Sequence, residues 1–226
     1  PAFAQSYAEE DTYIVGEAPA DIYPDDVLAS AADTTAVVLL SRDSSEAADY
    51  STNMKDPNGD SFDTPLSVSA YEKDMIELAK ANSNGKVIVL VNSDMPMELD
   101  ELKNDPDIDA ILWTGLPGMN GFLGVCDVLS GDVNPSGHIP DTFATNSTSS
   151  PAMTNFGLYM YTNNSTAGAD AELTEADKAD WYVVETEGIY IGYKYYETRY
   201  EDTVLGRGNA DAAEGSSTGE AWNYAD

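Results

Sequence analysis

The chain alternates between short, wholly apolar runs and longer stretches in which apolar residues recur every three or four positions. "TAVVLL" at 35–40, "KVIVLVN" at 86–92 and "DIDAILWT" at 107–114 are runs of the first kind. Near-continuous apolar runs of this length mark strands buried on both faces, as in the parallel sheets of α/β proteins. "LSVSAYEKDMIELAKANSNGK" is of the second kind, with Val68, Tyr71, Met75, Leu78 and Ala79 at helical spacing. Ser69 followed three residues later by Glu72 makes a capping box at its start, and Gly85 stands where a helix should stop. Shorter helices are expected at 25–32, "DDVLASAA", and at 95–104, "MPMELDELKN"; a glycine-led helix is expected in "GLPGMNGFLGVCDVLSGD". "HIPDTF" at 138–143 is expected to add a fourth strand.

Strands that alternate with helices in this order predict an α/β domain with a mostly parallel sheet over roughly residues 20–145. The character then changes. "ATNSTSSPAMTN" and "TNNSTAGADAELTEADKAD" are polar and poor in bulky apolar residues, which predicts surface excursions over 145–180. Their sequons at Asn146, Asn163 and Asn164 bear on a secreted eukaryotic protein alone. Aromatics return in "WYVVETEGIYIGYKYYETRY" at 181–200, and residues 201–226 are again polar.

Composition narrows the classes. The chain has 226 residues, 42% of them apolar, which suffices for a sizeable core. No run approaches the roughly 18–20 apolar residues of a membrane span. "AFAQ" at Ala2 to Gln5 resembles a cleavage site without the hydrophobic stretch that should precede one, so it is expected to be the edge of an excised piece. With 41 acidic residues against 10 basic ones, the net charge of −31 repels nucleic acid and anionic lipid surfaces. Few Lys and Arg beside abundant Ser, Thr, Asn and Asp suit an extracellular or cell-surface bacterial protein, with a cytoplasmic one as the alternative. Cys126 is the single cysteine, so there is no internal disulfide and no cysteine-based metal cluster; it is expected to be a small core residue. His138 is the single histidine, which leaves a zinc site without a second imidazole.

The candidate chemistry lies at the ends of the strands. In "AVVLLSRDSSEAADY" a greasy strand runs straight into a polar loop with Glu46 near its tip. Ligands of open parallel sheets gather outside the carboxyl ends of the strands. Asp43 and Asp49 flank Glu46, and neighbouring carboxylates raise one another's pKa, which favours a protonated acid. Gly115, Gly118, Gly121 and Gly124 follow a strand and open a helix, but they have neither the G-x-G-x-x-G spacing nor the Lys-Ser/Thr of a P-loop. Close helix–sheet packing accounts for them equally well. Tyr190, Tyr193, Tyr195 and Tyr196 would either stack on sugar rings or pack in a core.

Taken together these segments resemble one family. "VVLLSRDSSEAADY", the helix and strand of "LSVSAYEKDMIELAKANSNGKVIVLVNSDMPMEL", "DAILWTGLPGMNGFLGVCDVLSGDVNPSGHIPDTF" and "EGIYIGYKYYETRY" are similar, in the same order over about 35–200, to the carboxy-terminal domain of glycoside hydrolase family 3. The resemblance implies a three-layer α/β/α sandwich with a mostly parallel sheet of about five to six strands over 21–200. Residues 1–20 are then an amino-terminal extension, and 201–226 a polar tail leading to a following domain. It implies a retaining, exo-acting, β-glucosidase-like enzyme acting on oligosaccharides or glycosides, without a cofactor or metal. A (β/α)8-type barrel of the same full-length protein would supply the nucleophile. Glu46 matches the position of the general acid/base. Many members have Gly after that Glu, often with another Gly before it; here Ala47 follows and Ser45 precedes. The barrel has no counterpart here, so the chain is expected to be a fragment that is inactive alone. The alternative is a non-catalytic carbohydrate-binding or scaffold domain.

Overall fold

A computed structural model describes residues 5–6, 13–14, 19–42, 54–55, 64, 66–150, 152, 159–160, 181–182, 185, 187–203 and 205. In chain order its elements are β1 (Gln5–Ser6), β2 (Tyr13–Ile14), α1 (Asp25–Ser30), β3 (Ala36–Ser41), β4 (Met54–Lys55), α2 (Ala70–Asn82) and β5 (Val87–Asn92). They continue with α3 (Asp100–Lys103), β6 (Ala110–Trp113), α4 (Gly118–Ser130), β7 (Tyr159–Met160), β8 (Trp181–Tyr182) and α5 (Tyr193–Thr203). They fall into two compact units, one drawn from Tyr13–Tyr50 and Met54–Thr145, the other from Pro1–Thr12, Ser51–Asn53 and Asn146–Asp226.

The larger unit is an α/β structure around a parallel sheet in the order β3-β5-β6. Val38 sits beside Val89 and Ser41 beside Asn92, while Val91 sits beside Trp113. This brings the carboxyl ends of three strands to one edge. β5 lies in the centre, and its near-continuous burial matches its near-continuous apolar sequence. β3 alternates instead: Val38 and Leu40 are buried, whereas Val37 and Leu39 are exposed. The buried side joins Val89 and Val91 beneath Ile76 of α2, with Met97 and Leu102 completing the core.

α2 starts at its capping box: the Ser69 hydroxyl accepts from the Glu72 backbone N–H at 3.2 Å, and the Glu72 carboxylate accepts from the Ser69 N–H at 2.8 Å. It stops at Asn82, three residues before the expected glycine. Gly85 serves a different purpose, since a Cβ there would lie 2.3 Å from the Thr34 carbonyl oxygen. Lys80 ties the end of α2 to the turn before β6, donating to Asp105 at 2.8 Å and to Glu77 at 2.7 Å.

Two expectations fail. Residues 138–143 form no strand; Pro140 lacks the N–H a ladder needs, and this stretch is an irregular, largely exposed segment. Cys126 is exposed on α4, not in the core, because α4 buries none of its residues. The sheet of the larger unit has three parallel strands among the described residues, where five to six were expected.

In the smaller unit β7 pairs antiparallel with both β1 and β8. The tyrosines divide: Tyr195 is buried and donates to the Ser149 carbonyl at 3.1 Å, whereas Tyr190 and Tyr193 are exposed. The run is thus part core and part surface. None of the helices described is long and apolar enough to cross a membrane.

Two predictions follow from this packing. Leu40→Ala, at a fully buried site, destabilises the chain by about 2–5 kcal/mol in denaturant titration, whereas Leu39→Ala costs about 1 kcal/mol or less. The hydrogen bond from Lys80, and secondarily the Asp107 N–H, holds the Asp105 carboxyl below its ordinary value. Its contribution is therefore present above the unfolded pKa of about 3.9 and is lost as pH falls through the lower folded value. Denaturation measured from about pH 5 downward should show a shallower loss of stability for Asp105→Asn than for the wild type.

Candidate functional site

The carboxyl edge of the sheet carries Ser41 and Arg42 where β3 ends, Asn92, Ser93 and Asp94 where β5 ends, and Thr114 after β6. The Arg42 N–H donates to the Asn92 carbonyl at 3.2 Å, and the Thr114 N–H to Val91 at 2.9 Å, so the ladder extends one residue past each strand. Asn92 donates its side-chain amide to the Ser41 hydroxyl at 3.3 Å. Ser93 is fully buried; its hydroxyl accepts from Met95 N–H at 2.9 Å, and its carbonyl accepts the Trp113 indole N–H at 2.7 Å. Trp113 meets Phe143 edge to face at 6.2 Å between ring centres.

The strongest feature of this edge is a buried ion pair. Arg42 turns its side chain inward where β3 ends, and its two terminal nitrogens grip both oxygens of Glu72, Nη2 to Oε2 at 2.8 Å and Nη1 to Oε1. Both side chains are wholly excluded from solvent. Arg42 also donates from Nη1 to the Ser41 carbonyl and from Nη2 to the Ser67 carbonyl, each at 2.9 Å. Glu72 is simultaneously the third residue of α2 and half of its capping box, so one carboxylate serves the helix start and the strand end. A carboxylate in the first turn of a helix is also favoured by the helix dipole.

Around it, Thr64 and residues 66–69 are drawn against the edge. Ser67 donates its hydroxyl to the Thr64 carbonyl at 2.8 Å, Thr64 bonds the Glu98 carboxylate, and the Glu98 N–H donates to Leu66 at 2.9 Å. Arg42 and Met54 are the nearest described residues on either side of Glu46.

Glu46 itself, with Asp43 and Asp49, lies outside the described residues. Of the glycines after β6, Gly115 and Gly118 have positive φ, and a Cβ on Gly121 would stand 2.6 Å from the Pro117 Cβ. Close packing explains Gly121 without a phosphate. His138 is exposed, and no group of three His, Cys, Asp or Glu among the described residues is arranged to hold a metal ion. Sequence reasoning missed Arg42 and half the role of Glu72. The available signal was an arginine directly after a buried strand, four residues short of the candidate acid.

A model of the glycosyl hydrolase family 3 C-terminal domain matches residues 10–193. Beta-glucosidase A of Butyrivibrio fibrisolvens is 30% identical over 215 residues, covering 87% of this chain and 23% of that protein. A beta-glucosidase of Schizophyllum commune is 31% identical over 170 residues, covering 75% of this chain and 76% of that protein. A probable beta-D-xylosidase 6 of Arabidopsis thaliana is 33% identical over 100 residues, covering 44% of this chain and 12% of that protein. The chain thus spans less than a quarter of the Butyrivibrio enzyme's length.

Breaking the pair from one side strands a buried charge, so Arg42→Ala or Glu72→Ala should each cost about 3–5 kcal/mol in urea titration. Ser69→Ala, which removes only the cap hydroxyl, should cost about 1 kcal/mol.

Proposed function

The chain belongs to glycosyl hydrolase family 3 as a domain of its C-terminal type, and from that premise we propose that it is a fragment of a retaining, exo-acting, β-glucosidase-like enzyme in which Glu46 is the general acid/base. The observation that carries the reading is the family match across residues 10–193, which includes the polar loop leaving the carboxyl end of β3. The ordered edge beside that loop supports it, since ligands of parallel sheets gather there. The names of the relatives support a glycoside substrate, and they include both glucosidases and a xylosidase.

The remainder of the full-length protein supplies the nucleophile from a (β/α)8-type barrel. Retaining hydrolysis needs two carboxyl groups about 5–5.5 Å apart. The nucleophilic carboxylate bonds to the anomeric carbon as the bond to the leaving oxygen breaks, and Glu46 gives that oxygen its proton. Glu46, now a carboxylate, takes a proton from water as the water oxygen attacks the anomeric carbon and releases the nucleophile. Facing the barrel in a partly desolvated cleft keeps Glu46 protonated for the first step. Alone, the chain holds one half of the dyad. The setting is extracellular or at the cell surface, in keeping with the excess of 41 acidic over 10 basic residues.

Glu46→Ala in the full-length enzyme should lower turnover of glycosides with poor leaving groups by about 10²–10⁴-fold. With an aryl glycoside whose leaving group needs no protonation, azide should restore turnover and give a β-glycosyl azide. Wild-type behaviour of the mutant would remove Glu46 from the mechanism. The chain alone should show negligible hydrolysis of the same substrates, and robust turnover by it would contradict the division of the dyad.

A further inference from the structure

β6 ends at Trp113 and α4 begins at Gly118, so the first turn of α4 stands at the carboxyl edge of the sheet. From that edge an apolar stripe runs along the helix. Met119 is 99% and Leu123 71% exposed, Cys126 is exposed as well, and Leu116, in the loop just before, is 53% exposed. Met119, Leu123 and Cys126 are four and three residues apart, the spacing that stacks side chains on one side of a helix. Phe122, Val125 and Leu129 keep a similar spacing on another side and are half-buried. A helix that shows one side to water normally carries polar or charged residues there. In α4 the outward side is apolar too.

The charge pattern is as unusual as the exposure. Charged residues make up 23% of the chain, yet none stands between Asp109 and Asp127. Contiguous exposed apolar surface marks an interaction site. An exposed methionine in a stretch without charge fits the centre of an interface, where charged residues are depleted. A second copy is a poor occupant, because each copy carries a net charge of −31 and repels another. A domain on the same polypeptide meets no such barrier to encounter, since its tether gives it a high effective concentration. Such chain exists in relatives: this one matches 23% of the Butyrivibrio beta-glucosidase A, leaving most of that protein outside the match.

We infer that Leu116, Met119, Leu123 and Cys126 form the docking face for the barrel domain of the full-length protein, and that they meet an uncharged, apolar surface of that domain. The inference rests on the fragment reading above. It does not depend on which residue is the acid/base. A barrel that presents a sugar to the carboxyl edge, where ligands of parallel sheets gather, also reaches the start of α4.

The test replaces Met119 with the photo-reactive p-benzoylphenylalanine in the full-length protein, at a position so exposed that the change disturbs no packing. After irradiation, the peptides joined to position 119 are identified by mass spectrometry. Cross-links to the barrel are the expected result. Cross-links to other residues of 13–145 would show the stripe packing on its own sandwich, cross-linked dimers would show a second copy, and no cross-link would show a stripe that faces water. Each of these three overturns the inference. Alkylation of Cys126 by iodoacetamide, followed on its own peptide, gives a second readout. It should be slower by about tenfold or more in the native full-length protein than in the urea-unfolded one, because a thiol reacts according to its exposure. Equal rates would also overturn the inference. If the reading frame that encodes this chain holds no barrel, the fragment reading fails and the inference with it; a barrel that is present but never joined to position 119 defeats the inference alone.

Discussion

Burying a guanidinium and a carboxylate together, with neither reaching solvent, costs several kcal/mol of desolvation per ion before any attraction is counted. That cost is offset in this chain by the hydrogen bonds that both terminal nitrogens of Arg42 and both oxygens of Glu72 make. Two nitrogens of Arg42 meet two oxygens of Glu72, two carbonyls take further donors, and a backbone N–H at the start of α2 takes the remaining acceptor capacity of the carboxylate. Three pieces of backbone must be correctly placed for this to happen: the end of β3, the segment at Ser67 and the first turn of α2. The ion pair makes their relative placement all-or-none, because any one of them displaced leaves a charge buried and unmatched.

The hydrophobic core alone would not impose that precision. Leu40 and Ile76 bring β3 and α2 together, but apolar contact is non-directional and tolerates small slides. The core sets which face of β3 meets the helix; the ion pair sets the register in which they meet. The capping box connects the two, since Glu72 points toward Ser69 and Arg42 only when α2 starts at Ala70. Local helix chemistry and long-range sheet geometry thus share one carboxylate.

The sequence disclosed these parts unequally, for physical reasons. The parallel strands at 36–41, 87–92 and 110–113 were legible from their apolar runs, although near-continuous burial holds for β5 and not for β3, which exposes Val37 and Leu39. The cap at Ser69 was legible because its two partners are three residues apart. Arg42 was not: a charged residue at the end of a strand is expected to face solvent, and its partner lies thirty residues on, where it already had a sufficient explanation as a cap. The strand expected at 138–143 and the core role expected of Cys126 failed for a related reason. Apolar character was read there without a partner surface to bury it. Glu46 entered the picture through family resemblance more than through its own pattern, since one acid among 41 carries little information by itself.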